Sequence, residues 1–250
     1  MNRGELVAYL DEYLRVATFE DYGPQGLQVE GRCEVTRITS SVDAALPALR
    51  AAAEAGSHFH LVHHGLFWGE PQRLVGVLGR RVRTLMQADA NLYAVHLALD
   101  AHPEVGNNAV LARQLGIRVV DSWCRAKGNL IGVWGEAPTG LEFEPFVARV
   151  NQLLGGKARA AAHGPGVIRR VGIVSGGAAD EIEAAAQLGI DTYVTGEESH
   201  GHYWDAAECG INVVFAGHYA TEVVGVRALG EHLAARFGLP VEFLDYPTGL

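Results

Sequence analysis

Short apolar segments of strand length recur along this chain, and stretches rich in Ala and Leu separate most of them. The strand candidates are 35–42, 58–62, 92–95, 130–134, 171–174, 192–195, 213–216 and 241–244. Helices are predicted over 46–55, 75–88 and 143–154, and another opens at Asn2, with Glu5 three residues on, and runs to about 16. Strand alternating with helix points to an α/β fold with mostly parallel or mixed sheets. Residues 21–31, rich in Gly and Pro, read as a loop. Hydrophobic residues make up 48% of the 250, which supports two modest α/β lobes, drawn here at 1–124 and 125–250. The last helix and strand are free to pack back on the first lobe.

The two halves share an order of elements. Ile38-Thr39-Ser40, an Ala-rich helix, Ala55-Gly56 and a strand ending at His63-His64 form one block. Ile173-Val174-Ser175, an Ala-rich helix, Leu188-Gly189 and a strand ending at Gly196-Glu197 form its counterpart. The next strand begins near an Asn each time (Asn91, Asn212). It is followed by His96 and Asp100 in one block and by His218 and Glu222 in the other. Such a repeat is the mark of a duplication. It places the two carboxylates facing a cleft near strand C-terminal ends, where open α/β sheets bind ligands.

The chemistry-bearing residues sit at these strand ends. Two adjacent histidines diverge along a continuing strand, but Gly65 after His63-His64 lets the backbone re-aim both rings. A surface or structural pair is the commoner reading of that dipeptide alone. Asp100 follows an apolar strand with no adjacent Lys or Arg, and burying it is costly unless it is paired or bound to a cation. Its plain alternative is a helix cap. His218 and Glu222 share one helix face if a helix starts near 218, a spacing that lets both hold one ion. Taken together, His63, His64, Asp100, His218 and Glu222 are more ligands than one open ion needs, so they suit two divalent ions bridged by a carboxylate. Nitrogen and oxygen donors without thiolates suit Zn, Mn, Fe or Co.

Six ordered segments carry a resemblance to the Nif-three-like family. They are residues 21–31, His63-His-Gly-Leu-Phe-Trp68, 96–108, Ser175-Gly-Gly177, Thr195-Gly-Glu197 and Gly217-His-Tyr-Ala-Thr-Glu222. Many bacterial members of that family bear the name GTP cyclohydrolase 1 type 2 homologue. The resemblance implies a dinuclear metal site on His63, His64, Asp100, His218 and Glu222, two related α/β lobes, and a ring-shaped homohexamer. Longer members carry an inserted middle domain, and the short gap between Trp123 and Asn129 marks this chain as the short form. Gln25 stands where Asn is commoner in the family.

Metal-assisted hydrolysis of a nucleotide or small phosphorylated metabolite is the leading functional expectation, with His96 and Glu197 as candidate catalytic groups. The family name implies GTP, yet the chain has no Gly-x-x-x-x-Gly-Lys-Ser/Thr loop. A non-enzymatic metal-binding, ring-forming scaffold is the rival. Ser175-Gly176-Gly177 reads as a turn after a strand or as a set of N–H groups for an anion. His200 and His202 read as ordinary surface or core residues. The net charge of −9 argues against nucleic acid as a partner. Three scattered cysteines suit a reducing cytoplasm, and no segment is long and apolar enough for a membrane span.

Overall fold

A computed structural model of the chain describes residues 1–156 and 158–250. The backbone separates into two compact units: residues 1–105, 127–129 and 225–246, and residues 106–126, 130–224 and 247–250. In chain order the first begins with α1 (Arg3–Tyr13), β1 (Gly26–Val29), β2 (Ile38–Asp43), α2 (Leu46–Glu54), β3 (Phe59–His64), α3 (Gly76–Ala88), β4 (Asn91–Ala94) and α4 (Leu97–Asp100). The second carries α5 (Asn107–Leu115), β5 (Arg118–Ala126), β6 (Asn129–Glu136), α6 (Phe143–Leu154), β7 (Arg159–Ala162), β8 (Arg170–Ile173), α7 (Ile182–Gln187), β9 (Thr192–Thr195), α8 (His200–Cys209) and β10 (Asn212–Phe215). Helix α9 (His218–Phe237) follows, its residues to Val224 in the second unit and the rest in the first, and β11 (Val241–Phe243) closes the chain's secondary structure.

The first sheet has the order β1-β4-β3-β2-β11 and is parallel except at β1. Period-2 alternation along β3 sends Phe59 and Leu61 to one face and His60 and Val62 to the other. Phe59 and Leu61 join Leu6 and Leu10 of α1, Leu14 just after it, and Leu229 and Leu233 of α9 in one core. Val62 packs with Leu49 of α2, Leu85 of α3 and Leu92 in a second. Both faces are thus covered, as a buried parallel sheet requires. His60 is fully buried, and Thr39 and Ser41 from β2 meet its two ring nitrogens at 2.7 and 3.0 Å.

The second sheet, β5-β6-β8-β9-β10-β7, is mixed: β6 and β7 run antiparallel to their neighbours β8 and β10. Leu111 and Leu115 of α5 and Phe146 and Val150 of α6 cover Val171, Ile173, Val194 and Val214. The order β7-β10-β9-β8 reproduces β1-β4-β3-β2 strand for strand, with the first pair antiparallel and the next two parallel in each. The repeat read in the sequence is therefore a repeat of topology. Its two asparagines do one job. Asn91 accepts from the Gly31 N–H and donates to the Arg32 and His58 carbonyls, and Asn212 accepts from the Gly164 N–H and donates to the Pro165 carbonyl. Each buried amide clamps an incoming strand connection to its sheet.

The loop expected over 21–31 is corrected at its second half, where Gly26–Val29 forms β1 on the edge of the sheet. Glycine and proline density outweighed a four-residue strand in that reading. All eight strand candidates are present, and β5 and β7 are additional.

Candidate metal centre

The last two residues of β3 and the turn after β4 carry three imidazoles of the first unit. One nitrogen from each of His63, His64 and His96 lies within 4.8 Å of the others. The ring centroids are 4.7 Å apart for His63 and His64, 5.0 Å for His63 and His96, and 5.6 Å for His64 and His96. Gly65, which follows, is tightly packed: a Cβ there would lie 2.7 Å from the Ala94 Cβ and closer still to the Gln28 side chain.

Each ring is held from behind through Nδ1. His63 is fully buried and donates to the Val95 carbonyl at 3.0 Å. His64 donates to Asp43 Oδ1 at 2.8 Å, and His96 to Asp21 Oδ1 at 2.8 Å. An Nδ1–H spent in this way fixes the tautomer and turns Nε2 to the other side, the arrangement found behind metal-ligating histidines. His63 Nε2 lies 3.6 Å from Oδ1 of Asp100. Asp100 ends α4, and that helix is fastened by Gln25, whose Oε1 accepts from the His96 and Ala98 N–H groups at 3.0 and 3.3 Å. Asp21 is nearly enclosed. Burial pushes its carboxyl up, but the His96 hydrogen bond and charge and the N–H groups of Leu97 and Tyr22 outweigh that and hold it below its ordinary value.

The second unit builds a matching set at the start of α9. His218 Nδ1 lies 2.5 Å from Glu197 Oε1, and His218 Nε2 lies 3.0 Å from Glu222 Oε1, one helical turn on. Glu222 is buried. Ser175-Gly176-Gly177 wraps closely around this trio. A Cβ on Gly176 would lie 2.4 Å from Glu222 Oε1 and 3.3 Å from His218 Nε2, and one on Gly177 would lie 3.1 Å from Glu197 Oε2. The Ser175 and Gly176 N–H groups are committed to Asn108 Oδ1 and Thr221 Oγ1. Close packing against carboxylates, not an anion cradle, explains the glycines. His202 is occupied by Asp180 and the Ser199 N–H, and His200 is exposed.

Sequence reading missed Asp21 and Asp43, the carboxylates behind His96 and His64. Asp43 had a signal: it ends the strand beside the histidine strand, in direct register with His64.

A family model described as Duf34/NIF3 (NGG1p interacting factor 3) matches residues 1–248. The chain belongs to the Duf34/NIF3 family. A Deinococcus radiodurans relative of this family named GTP cyclohydrolase 1 type 2 homolog is 48% identical, over 100% of this chain and 95% of the relative. A Vibrio cholerae relative of the same name is 43% identical over 98% of each. Among solved structures, protein ybgI, whose function is given as unknown, aligns with a TM-score of 0.94 at 39% identity over 100% of both chains. A Thermus thermophilus protein aligns with a TM-score of 0.90 at 45% identity, also over 100% of both. The NIF3 fold, mixed α/β with two sheets, is thus shared along the whole length. Among the described residues no helix is long and apolar enough to cross a membrane.

Proposed function

We propose that this NIF3 protein is a divalent-metal-binding hydrolase acting on a nucleotide or another small phosphorylated metabolite. The observation that carries the reading is the backing of His64, His96 and His218 by Asp43, Asp21 and Glu197 through Nδ1. The donor set fits a transition metal: imidazole nitrogens beside carboxylates, glycines cleared for the carboxylates, and no thiolate. His63, His64, Asp100, His218 and Glu222 are the proposed ligands of two ions, Zn, Mn, Fe or Co, as the family resemblance implies. Ions there supply Lewis-acid polarisation of a phosphoryl or carbonyl oxygen.

The protein's own groups do the rest. Asp43 and Glu197 orient His64 and His218, so Glu197 serves as a positioning carboxylate. His96 lines the cleft with its Nδ1 proton held on Asp21, which leaves the Nε2 lone pair as the proposed group that takes a proton from the attacking water and passes it to the leaving group. The relatives' shared name points to GTP as one nucleotide to test. The proposed assembly is a homohexameric ring in the cytoplasm.

Elemental analysis of protein purified without added metal is expected to give about two transition-metal ions per chain, the count of a two-metal site. Metal-loaded protein is expected to turn over at least one member of a nucleotide and phosphoester panel. Full metal loading with no turnover across the panel would hand the reading to a metal-binding scaffold. Failure to take up metal on titration would remove both.

A further inference from the structure

We infer that the groove between α2 and α3 of the first unit is a binding site for a phosphorylated sugar or polyol. It shares no residue with the candidate metal centre, so the inference stands or falls apart from the hydrolase reading.

Helical spacing builds its two walls. Arg50, Ala53 and Glu54 lie at i, i+3 and i+4 along α2, and Arg80, Arg83, Thr84 and Gln87 lie at i, i+3, i+4 and i+7 along α3. Each helix therefore turns one stripe to the groove. The undersides are fixed, because Leu49 of α2 and Leu78, Val82 and Leu85 of α3 pack into one core with Val62 and Leu92. The cavity measures about 670 Å³. Sites for whole small molecules run to roughly 300–1,000 Å³.

Charge sets the first feature of the ligand. The chain carries −9 overall, yet residues 71–88 hold four arginines and neither Asp nor Glu. Two of these, Arg80 and Arg83, line the groove with Arg50 on the other wall, and Glu54 is the one carboxylate among the lining residues. Six arginines elsewhere, such as Arg3, Arg37 and Arg227, each meet a carboxylate. Among the described residues Arg50, Arg80 and Arg83 meet none, although Glu54 stands one turn from Arg50 on the same helix. Each guanidinium offers five N–H donors in a planar fork that matches phosphate oxygens. A phosphoryl dianion held from both walls offsets the lining's excess of two positive charges.

The other lining residues set the second feature. Ala53 and Ala88 are the only apolar ones, so no aromatic face stacks on a base and no large aliphatic side chain holds an acyl tail. Glu54, Gln87 and Thr84 are partners for hydroxyl groups instead. The Glu54 carboxylate accepts, and the Gln87 amide both donates and accepts. The Thr84 hydroxyl donates to the Arg80 carbonyl at 3.0 Å, which leaves its oxygen to accept. Phosphate on the arginines and hydroxyls on Glu54 and Gln87 describe a sugar or polyol phosphate. Phosphoinositide lipids carry the same chemistry, so the test separates the free ligand from the lipid.

The test is calorimetric titration of the protein as purified with fructose 1,6-bisphosphate, at about 0.15 M salt so that diffuse attraction is screened. Fructose is the uncharged probe. Saturable binding of the bisphosphate and none of fructose is expected. Arg50→Ala, Arg80→Ala and Arg83→Ala are each expected to weaken it roughly 1.5- to fivefold, the range for solvent-exposed ion pairs, and the triple variant roughly threefold or more. Arg83→Lys keeps the charge but not the fork, and is expected to recover only part of the Arg83→Ala loss. Arg73→Ala removes the same charge outside the groove and is expected to change nothing. Asp100→Asn, at the candidate metal centre, is expected to leave the binding intact whatever it does to metal content. No saturable binding, unchanged affinity in the triple variant, an equal loss in Arg73→Ala, or loss of binding in Asp100→Asn each overturns the site. Sedimentation with phosphatidylcholine vesicles carrying phosphatidylinositol bisphosphate distinguishes the sources. Capture by those vesicles without binding of the free bisphosphate would give the groove to a lipid surface and overturn the soluble ligand.

Discussion

Asp43 shows how one side chain can act on a candidate metal site without being one of its proposed ligands. It sits on β2, 2.8 Å behind the Nδ1 of His64, and is itself part-exposed. Asp43→Asn keeps the shape but replaces the acceptor oxygens with one oxygen and one amide group, so His64 loses its fixed tautomer. Metal affinity is expected to fall about 10- to 100-fold, the usual effect of removing such a partner. Competition against a graded series of chelators reads this out, and an unchanged affinity would remove Asp43 from the site. His60 offers a different test. Burial lowers its pKa from the ordinary 6.5 to about 4. Between those values the unfolded chain binds a proton that the folded chain refuses, so this residue's contribution to stability is full above pH 6.5 and drains away as pH falls toward 4. His60→Gln can still bridge Thr39 and Ser41 but does not titrate. It is expected to flatten the stability loss between pH 7 and pH 4 by on the order of 3 kcal/mol, at about 1.36 kcal/mol for each pH unit separating the two values. Matching slopes in urea titrations of both proteins would refute this.

At the scale of elements, what could be read in the chain depended on how local each signal is. Strands such as β3 and β9 are short apolar runs bounded by turns, so the sequence marks them. The outer strand β5 has five exposed residues in a row and no alternation to detect, while β7 reads Arg-Ala-Ala-Ala, which favours helix by propensity. The site followed the same rule. His63-His64 and the His-x-x-x-acid pairs are local and legible at strand ends. The carboxylates behind His64 and His96 lie 21 and 75 residues away in sequence, and only β-sheet register and loop packing bring them in. The asparagine clamps test the element scale directly. Asn91→Leu leaves the Gly31 N–H and the Arg32 and His58 carbonyls without their amide in a buried position. A loss of about 2–4 kcal/mol is expected from denaturant unfolding, since an unsatisfied buried group costs roughly 1–3 kcal/mol. A loss below about 1 kcal/mol, the low end of that range, would show that the clamp is dispensable.

For the whole molecule, the repeated four-strand topology means that each unit presents its candidate site residues from the same places: the end of one strand and the turn after the next. Large apolar side chains nonetheless remain exposed, Leu74, Val75, Val77 and Met86 around α3 and Tyr203 and Trp204 on α8. Surfaces of this kind mark contacts with other chains. The family resemblance implies a ring of six, so light scattering behind size exclusion is expected to report about six times the 26.8 kDa chain mass. A single-chain mass at micromolar concentration would remove the ring.

The rim of the cleft has a consequence for how anything gets in. The Tyr22 carbonyl is bonded to the Gly69 N–H, and Gly23 lies so close to the Phe67 carbonyl that a Cβ there would sit 2.1 Å away. The two loops are latched along their backbones, so neither swings open without the other. An opening framed in this way does not depend on the microsecond-to-millisecond closure of a lid. Such a doorway stays ajar, and the ordering of its guest falls to the walls within.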